Sequence, residues 1–308
     1  MSAQKTIADW VEAAAGRLQG AGLHFGHGTD NARDEAAWLV LGALGAPLDG
    51  RFEAWDRLVD DANATRIEAL LERRIETRKP LAYLTNSAWF AGLEFAVSKN
   101  VLVPRSPIAE LIRDDFRPWL DSSRVRRVLD LCTGCGCIAV AIAHRFVDAR
   151  VDASDISAEA LEIAARNAHR HEVEERLQLI RSNLFDSLPA RRYDLIVTNP
   201  PYVPSASLAQ LPAEYRAEPS LGLESGPDGL DAALRILVAA PSYLARDGVL
   251  VCEVGESEGR LVAALPRVEF LWLEFEHGGS GVFLLTAEQL NRAQADLQTL
   301  IEERSHVT

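Results

Sequence analysis

No stretch of the 308 residues approaches the roughly 18 consecutive apolar side chains that a membrane-spanning helix requires. Met1 to Trp10 has neither the basic start nor the apolar core of a secretory signal, so the sequence reads as that of a cytosolic protein. Basic residues are in the minority, with 32 Lys and Arg against 45 Asp and Glu, and the net charge of −13 argues against a chain that wraps nucleic-acid phosphates non-specifically. It suits instead the attraction of a basic protein substrate. The local patch Arg73, Arg74, Arg78 and Lys79 reads most simply as the solvated face of a helix. Cysteine is scarce, four in all, and three of them fall within Cys132-Thr133-Gly134-Cys135-Gly136-Cys137. A structural zinc needs four ligands, and neither a second Cys pair nor a His cluster of suitable spacing accompanies this run, so no metal site is expected. Internal repeats and low-complexity segments are absent too. The remaining composition, 48% hydrophobic and 25% charged, is that of a folded globular chain with room for one large or two ordinary domains.

Three regions follow from pattern. Residues 1–80 carry helical periodicity, with Ala37, Leu41 and Leu44 at one spacing and Ile67, Leu70, Leu71 and Ile75 at another, and form an expected helical domain for substrate recognition. Between its helices lies the polar loop Phe25 to Asn31, where His27 reads first as a turn or packing residue. Residues 81–104 contain short apolar runs, Trp89 to Val97 and Val101 to Val103, compatible with a connecting β-hairpin. From 105 to 308 strands and helices alternate. Ser106 and Pro107 suit a helix start, predicting a helix from Ile108 to Leu120 with an interruption near Pro118. Strands are expected at Arg127 to Leu131, Arg150 to Ala153, Leu177 to Ile180, Tyr193 to Val197 and Val249 to Val254. A closing antiparallel pair is expected from Val268 to Glu276 and Val282 to Thr286. Such alternation predicts an α/β fold, a mostly parallel sheet with helices on both faces and a ligand site at the carboxyl ends of its strands.

The first strand of that region ends in Asp130 and runs into a loop in which Gly134 and Gly136 permit close approach of a ligand to the backbone. The second ends at Asp155, whose carboxylate could accept both hydroxyls of a ribose. Loop and Asp155 alone leave a nicotinamide cofactor and S-adenosylmethionine both open. Asp130 tilts the choice, because its charge opposes a pyrophosphate and suits an ammonium and a sulfonium. The third strand ends in Ser182-Asn183-Leu184-Phe185, an amide for an adenine amine and an apolar contact for its ring. The fourth ends in Asn199-Pro200-Pro201-Tyr202. Two prolines remove two backbone donors there, leaving the Asn199 side-chain oxygen and the Pro200 carbonyl to accept both N–H groups of a planar amide or amine, with the Tyr202 ring to cover one face. A methyl acceptor has a seat in such a turn; a hydride acceptor does not.

These residues resemble the S-adenosylmethionine-dependent methyltransferases with a seven-stranded, Rossmann-like sheet. Asn199 to Tyr202 is similar to the signature of those that methylate a planar nitrogen, including exocyclic amines of nucleic-acid bases and the side-chain amide of protein glutamine. Leu211 to Pro219, Leu221-Gly222-Leu223, Ser225-Gly226 and Asp228-Gly229-Leu230 resemble the bacterial glutamine methyltransferases of translation proteins. Phe25 to Asn31, Val103 to Leu111, and Trp272 to Phe275 with Gly278 to Phe283 look like the branch that methylates the third protein of the large ribosomal subunit. The resemblance implies methyl transfer to a glutamine side-chain nitrogen of that protein, either free or within an assembling ribosomal particle. It implies cofactor contacts from Asp130, Cys132, Thr133, Gly134, Cys135, Gly136, Asp155, Asn183, Leu184 and Asn199, catalytic roles for Asn199, Pro200 and Tyr202, and a substrate seat that includes Pro201. Two residues depart from the family's pattern, Cys135 where Ser is usual and Asn183 where Asp is usual. Glutamine methylation of release factors, methylation of a nucleic-acid amine and a non-catalytic role in ribosome assembly are the alternatives.

Overall fold

The computed structural model describes residues 4–48 and 50–305, so the extreme ends of the sequence regions named above lie outside the described residues. The chain divides into two compact units. The first comprises Met1–Lys99, Val103–Arg105 and Pro212–Glu218, and the second the remainder.

In the first unit, α1 (Ile7–Gly20), α2 (Ala32–Ala43) and α3 (Asp61–Thr77) each start at a side-chain cap. Thr6 forms a capping box with Asp9, Asn31 accepts from the N–H groups of Arg33 and Asp34, and Asp60 accepts from that of Asn63. Their apolar stripes meet in one core, with Ile7, Val11, Ala14 and Leu18 against Ala36, Leu39, Val40, Ile67 and Leu71. On α2 the buried residues are Glu35, Ala36, Leu39, Val40 and Leu41, so Leu41 lies in the core as its spacing indicates, whereas Ala37 and Leu44 are only partly buried against it. After the short α4 (Leu81–Thr85), β1 (Ser87–Phe90) and β2 (Leu93–Ala96) pair antiparallel, Trp89 opposite Glu94. The hairpin therefore turns at Ala91-Gly92, both at positive φ (48° and 79°), and does not use Val101 to Val103 as its second strand. Two central residues at positive φ are the type I′ geometry that matches strand twist.

Arg74 overturns the reading of its neighbourhood as a solvated helix face. Its side chain is fully buried, with Nε 2.7 Å from Glu35 Oε1, while Arg78 lies 2.8 Å from Glu214 Oε1. Glu214 and Glu218 both come from the segment Pro212–Glu218, and both carboxylates are buried. Arg105 grips Glu218 with two parallel hydrogen bonds of 2.6 and 2.7 Å, and the Val103 N–H donates to the same carboxylate at 3.0 Å. His27 Nε2 stands 3.5 Å away. Burial pushes the Glu218 carboxyl up, but His27 and Arg105 outweigh it and hold the pKa down to about 2. A depressed carboxylate pKa stabilises the fold above its unfolded value of 4.5, and that contribution is lost as pH falls through about 2. Protection of first-unit amides, measured against their intrinsic exchange at the same pH, should accordingly fall between those limits in the natural chain, and Glu218→Gln should remove most of that acid dependence while destabilising the unit by about 3 kcal/mol at neutral pH, the cost of leaving a buried partner unpaired.

The second unit opens with α5 (Ile108–Arg113), shorter than the helix to Leu120 that the sequence predicts. Asp115 and Phe116 take φ of 58° and 55°, which places the Asp115 carboxylate between Arg117 and Arg145 and buries Phe116. The core elements follow as β3 (Arg127–Leu131), α6 (Cys137–Arg145), β4 (Arg150–Asp155), α7 (Ala158–Arg170), β5 (Leu177–Arg181), β6 (Tyr193–Thr198), α8 (Asp231–Ala239), β7 (Leu244–Glu253), α9 (Glu258–Ala264), β8 (Leu271–Trp272), β9 (Val282–Thr286) and α10 (Ala287–Ser305). Seven strands form one sheet in the order β5-β4-β3-β6-β7-β9-β8, parallel except for the pairs that β9 makes. The expected α/β fold with a seven-stranded, mostly parallel sheet is thus present. Its closing antiparallel pair is also present, with β8 only two residues long. The sequence reading passed over α10. Thr286 and Gln289 form its reciprocal cap, Leu290, Ala293 and Leu297 are buried, and Arg304 near its end pairs with Asp228 and Asp231.

Candidate functional site

The sheet's strand order reverses between β3 and β6, and in open α/β sheets ligands bind at the carboxyl ends of the strands at such a switch point. Both sequence-predicted segments sit there. Asp130-Leu131 continues into the glycine loop, Thr198 leads into Asn199, and the Thr198 hydroxyl donates to the Leu131 carbonyl at 2.9 Å. This bond, which the sequence reading did not foresee, ties the two strand ends together.

Asp130 is fully buried. Its Oδ2 accepts from the Thr133 hydroxyl at 2.5 Å and the Ala139 N–H at 3.1 Å, whereas Oδ1 has no hydrogen-bond partner. Burial raises the Asp130 pKa to about 7. An orphaned carboxylate oxygen in a low-dielectric setting is an invitation to a cation. Asp155 takes the Gly134 N–H and the Ser157 N–H, both at 2.9 Å, one on each oxygen, so each oxygen keeps a second lone pair for a ligand. The two glycines divide their labour. At Gly134, with φ of 56°, a Cβ would meet nothing within 4 Å, whereas at Gly136 it would lie 3.0 Å from Ala164 Cβ, so Gly136 serves the packing of the loop on α7 and Gly134 leaves the open approach. Asn167 on α7 donates to the Cys135 carbonyl at 2.8 Å and fixes the loop from behind.

Cys132 takes φ of 57° and Leu184 φ of 52°, two non-glycine residues in the left-handed region at the ends of parallel strands. Burial, reinforced by Asp155 and Asp130, pushes the Cys132 thiol well up, and burial does the same to Cys252, so neither is poised as a thiolate. Leu184 and Phe185 are buried after β5, while Asn183 is exposed and its oxygen accepts from Arg235 of α8 at 3.1 Å, keeping a second lone pair for a ligand N–H.

The turn after β6 is braced by a set of contacts that the sequence does not announce. Tyr202 donates its hydroxyl to Glu253 Oε1 at 3.3 Å, and the other Glu253 oxygen takes the Ser106 hydroxyl at 2.5 Å, whose oxygen in turn accepts the Ile108 N–H at 3.2 Å. Ser106, expected as a helix cap, therefore also anchors a buried carboxylate at the end of β7. The Tyr202 carbonyl accepts from the Ser257 hydroxyl at 2.7 Å, and Val203 pairs with the Leu223 to Ser225 stretch through two backbone bonds of 2.8 and 2.9 Å. Gly255 and Gly229 close the packing, for a Cβ on Gly255 would come within 2.6 Å of the Tyr202 ring and one on Gly229 within 2.2 Å of the Tyr202 carbonyl. Glu253 as a strand-terminal acid was visible in the sequence, but nothing there linked it to Tyr202. Gly255→Ala, strained both by its φ of 46° and by the ring, should cost about 1–3 kcal/mol in urea unfolding, while Gly259→Ala, with nothing within 4 Å, should be neutral or stabilise by up to about 1 kcal/mol.

Comparison with known proteins agrees with this geometry. Residues 116–211 match the methyltransferase small domain and residues 9–85 the PrmC N-terminal domain. A ribosomal protein uL3 glutamine methyltransferase of Xylella fastidiosa is 50% identical over 303 residues, covering 97% of this chain and 96% of the relative. One from Bordetella pertussis is 47% identical over 288 residues, covering 93% and 97%. With half of its residues shared along nearly the full length of both chains, this chain belongs to the family of the ribosomal protein uL3 glutamine methyltransferases.

Proposed function

We propose that the protein transfers a methyl group from S-adenosylmethionine to the side-chain amide nitrogen of a glutamine in ribosomal protein uL3. The observation that supports this reading is the hydrogen bond from Thr198 to Leu131 at the sheet's switch point, which ties together the two strand ends that carry Asp130 and lead into Asn199. Family membership supports the substrate. No helix among the described residues is long and apolar enough to cross a membrane, and a ribosomal protein is met in the cytoplasm.

When bound, S-adenosylmethionine supplies a methyl group on a positively charged sulfur, which departs as a neutral thioether. The orphaned Asp130 oxygen suits the cofactor's positive charge, Asp155 its ribose hydroxyls, and Asn183 with Leu184 the adenine amine and ring. Asn199 and the Pro200 carbonyl accept the two N–H groups of the glutamine amide, and Tyr202, held by Glu253, covers one face beside Pro201. With both hydrogens engaged in one plane, the nitrogen can only meet the methyl group from above that plane. The amide is a poor nucleophile, so alignment is the main contribution, and the nitrogen becomes acidic once the N–C bond forms. Its proton then leaves to solvent, and no strong base is required.

Intact-mass spectrometry of large-subunit proteins from cells lacking the enzyme, incubated with it and the cofactor, tests the reading. A single methyl gain on uL3, mapped to a glutamine, is expected, and Asn199→Ala should slow it by about 100-fold or more, the scale of losing one positioned polar group. A gain on a release factor instead would keep the chemistry and replace the partner. Calorimetry tests the cofactor contact. Asp130 carries a pKa of about 7, so the carboxylate must lose a proton to meet a cation below that pH. Affinity for S-adenosylmethionine should therefore rise with pH by up to about tenfold per unit and level off above 7, and Asp130→Asn should weaken binding and flatten the profile.

A further inference from the structure

The C-terminal helix α10 does more than cover the sheet. Leu290, Ala293 and Leu297 form its buried stripe, and Gln294 donates to the Leu237 carbonyl of α8 at 3.3 Å, so the helix is fixed against its neighbours. Arg304 follows two heptads after Leu290 on the same face, where the stripe turns from apolar to charged. Its Nη1 donates to Asp228 Oδ2 at 2.5 Å, and its Nη2 donates to Asp228 Oδ1 at 3.0 Å and to Asp231 Oδ1 at 2.6 Å. The fork thus engages two carboxylates at once, and its hydrogen bonds hold the Asp228 carboxyl below the ordinary carboxylate range.

The segment so gripped is the one along which the chain leaving the Asn199 to Tyr202 turn is laid. The Val203 N–H donates to the Leu223 carbonyl at 2.8 Å, the Ser225 N–H donates back to the Val203 carbonyl at 2.9 Å, and the Ser205 N–H donates to the Gly226 carbonyl at 2.9 Å. Asp228 also accepts the Leu230 N–H at 3.1 Å, and the Ser225 hydroxyl accepts the Ala232 N–H at 2.9 Å, so the start of α8 is tied in. No slack separates the grip from the turn. Asp228 and Asp231 flank Gly229, where a Cβ would come within 2.2 Å of the Tyr202 carbonyl, and a Cβ on Gly226 would come within 2.0 Å of Asp231 Oδ2. We propose that Arg304 is a positioning residue for methyl transfer: acting through Asp228 and Asp231, the last turn of α10 fixes the backbone on which Tyr202 and the acceptor seat are held. The inference rests on the reading above that this turn seats the glutamine amide. A seated group displaced by about 1 Å can react about a hundredfold more slowly, so the brace has a kinetic consequence beyond its share in stability.

Hydrogen exchange on the full-length enzyme, without cofactor or substrate, reads the brace directly. In Arg304→Gln the Val203, Ser205 and Ser225 amides should exchange about three- to tenfold faster, while those of Ile196 and Val197 within β6 keep their protection. With uL3 as substrate the same variant should lower kcat by about tenfold and leave the Kd for S-adenosylmethionine unchanged. Arg304→Lys, a point charge that cannot fork two carboxylates, should recover part of the rate, and adding Asp228→Asn to Arg304→Gln should cost little more than either change alone. If Arg304→Gln fails to fold, Asp231→Asn, which removes the partner of one of the three bonds, is read in the same way. A folded variant that loses only thermal stability, with the three amides and kcat unchanged, overturns the proposal and leaves α10 as a cover for the sheet. Faster exchange at the three amides, with no methylation of uL3 by the natural enzyme, keeps the brace and sinks the substrate assignment instead.

Discussion

The parallel pairing of β3 with β6 is the constraint on which the transfer site depends. Leu129 sits opposite Ile196 and Leu131 opposite Thr198, all buried, so the two strands are fixed in register by core packing before any polar group is considered. That register brings the end of one strand, with Asp130 and the glycine loop, level with the end of the other, with Asn199. A slip of two residues would keep every side chain on its face and still separate the two halves of the chemistry. The Thr198 to Leu131 hydrogen bond marks the registered position from within the site itself.

Buried carboxylates are then used in three different ways. Asp130 keeps one oxygen without a partner and is held near neutrality, a poised charge that a cation can settle. Glu253 is spent on positioning, since its two oxygens tie the Tyr202 ring to Ser106 and thereby link the turn after β6 to the start of α5. Glu218 is fully committed, gripped by Arg105 and the Val103 N–H with His27 3.5 Å away, and stabilises the helical unit. Each carboxylate carries a desolvation cost, and the number of donors around it decides whether it is a binding group, a brace or a structural pin.

The loop after the Asn-Pro-Pro-Tyr turn carries the chain from one unit to the other and back. Pro212–Glu218 belongs to the helical unit, and the flanking residues belong to the sheet unit. Within the helical unit, Tyr215 packs against His27 with ring centroids 4.5 Å apart.

The sequence alone determined the fold class, the order of the parallel strands along the chain and the two loops that carry the chemistry, because each rests on local properties. Apolar runs that end in Gly, Asp or Pro mark strand ends, and the Asn199 to Tyr202 turn is rigid wherever it is placed. The cap and periodicity of α10 were present as Thr286, Gln289, Leu290 and Leu297, and could have been read by the same rules. Tertiary structure decided what depends on groups distant in the chain. Arg74 looks like a surface residue until Glu35 and Glu214 reach it, Gly136 looks like a ligand approach until Ala164 fills the space beside it, and Glu253 has no evident task until Tyr202 and Ser106 converge on it. Local pattern reports the backbone and one face of each element; which buried polar groups meet is set by packing between elements, and no spacing along the sequence encodes it.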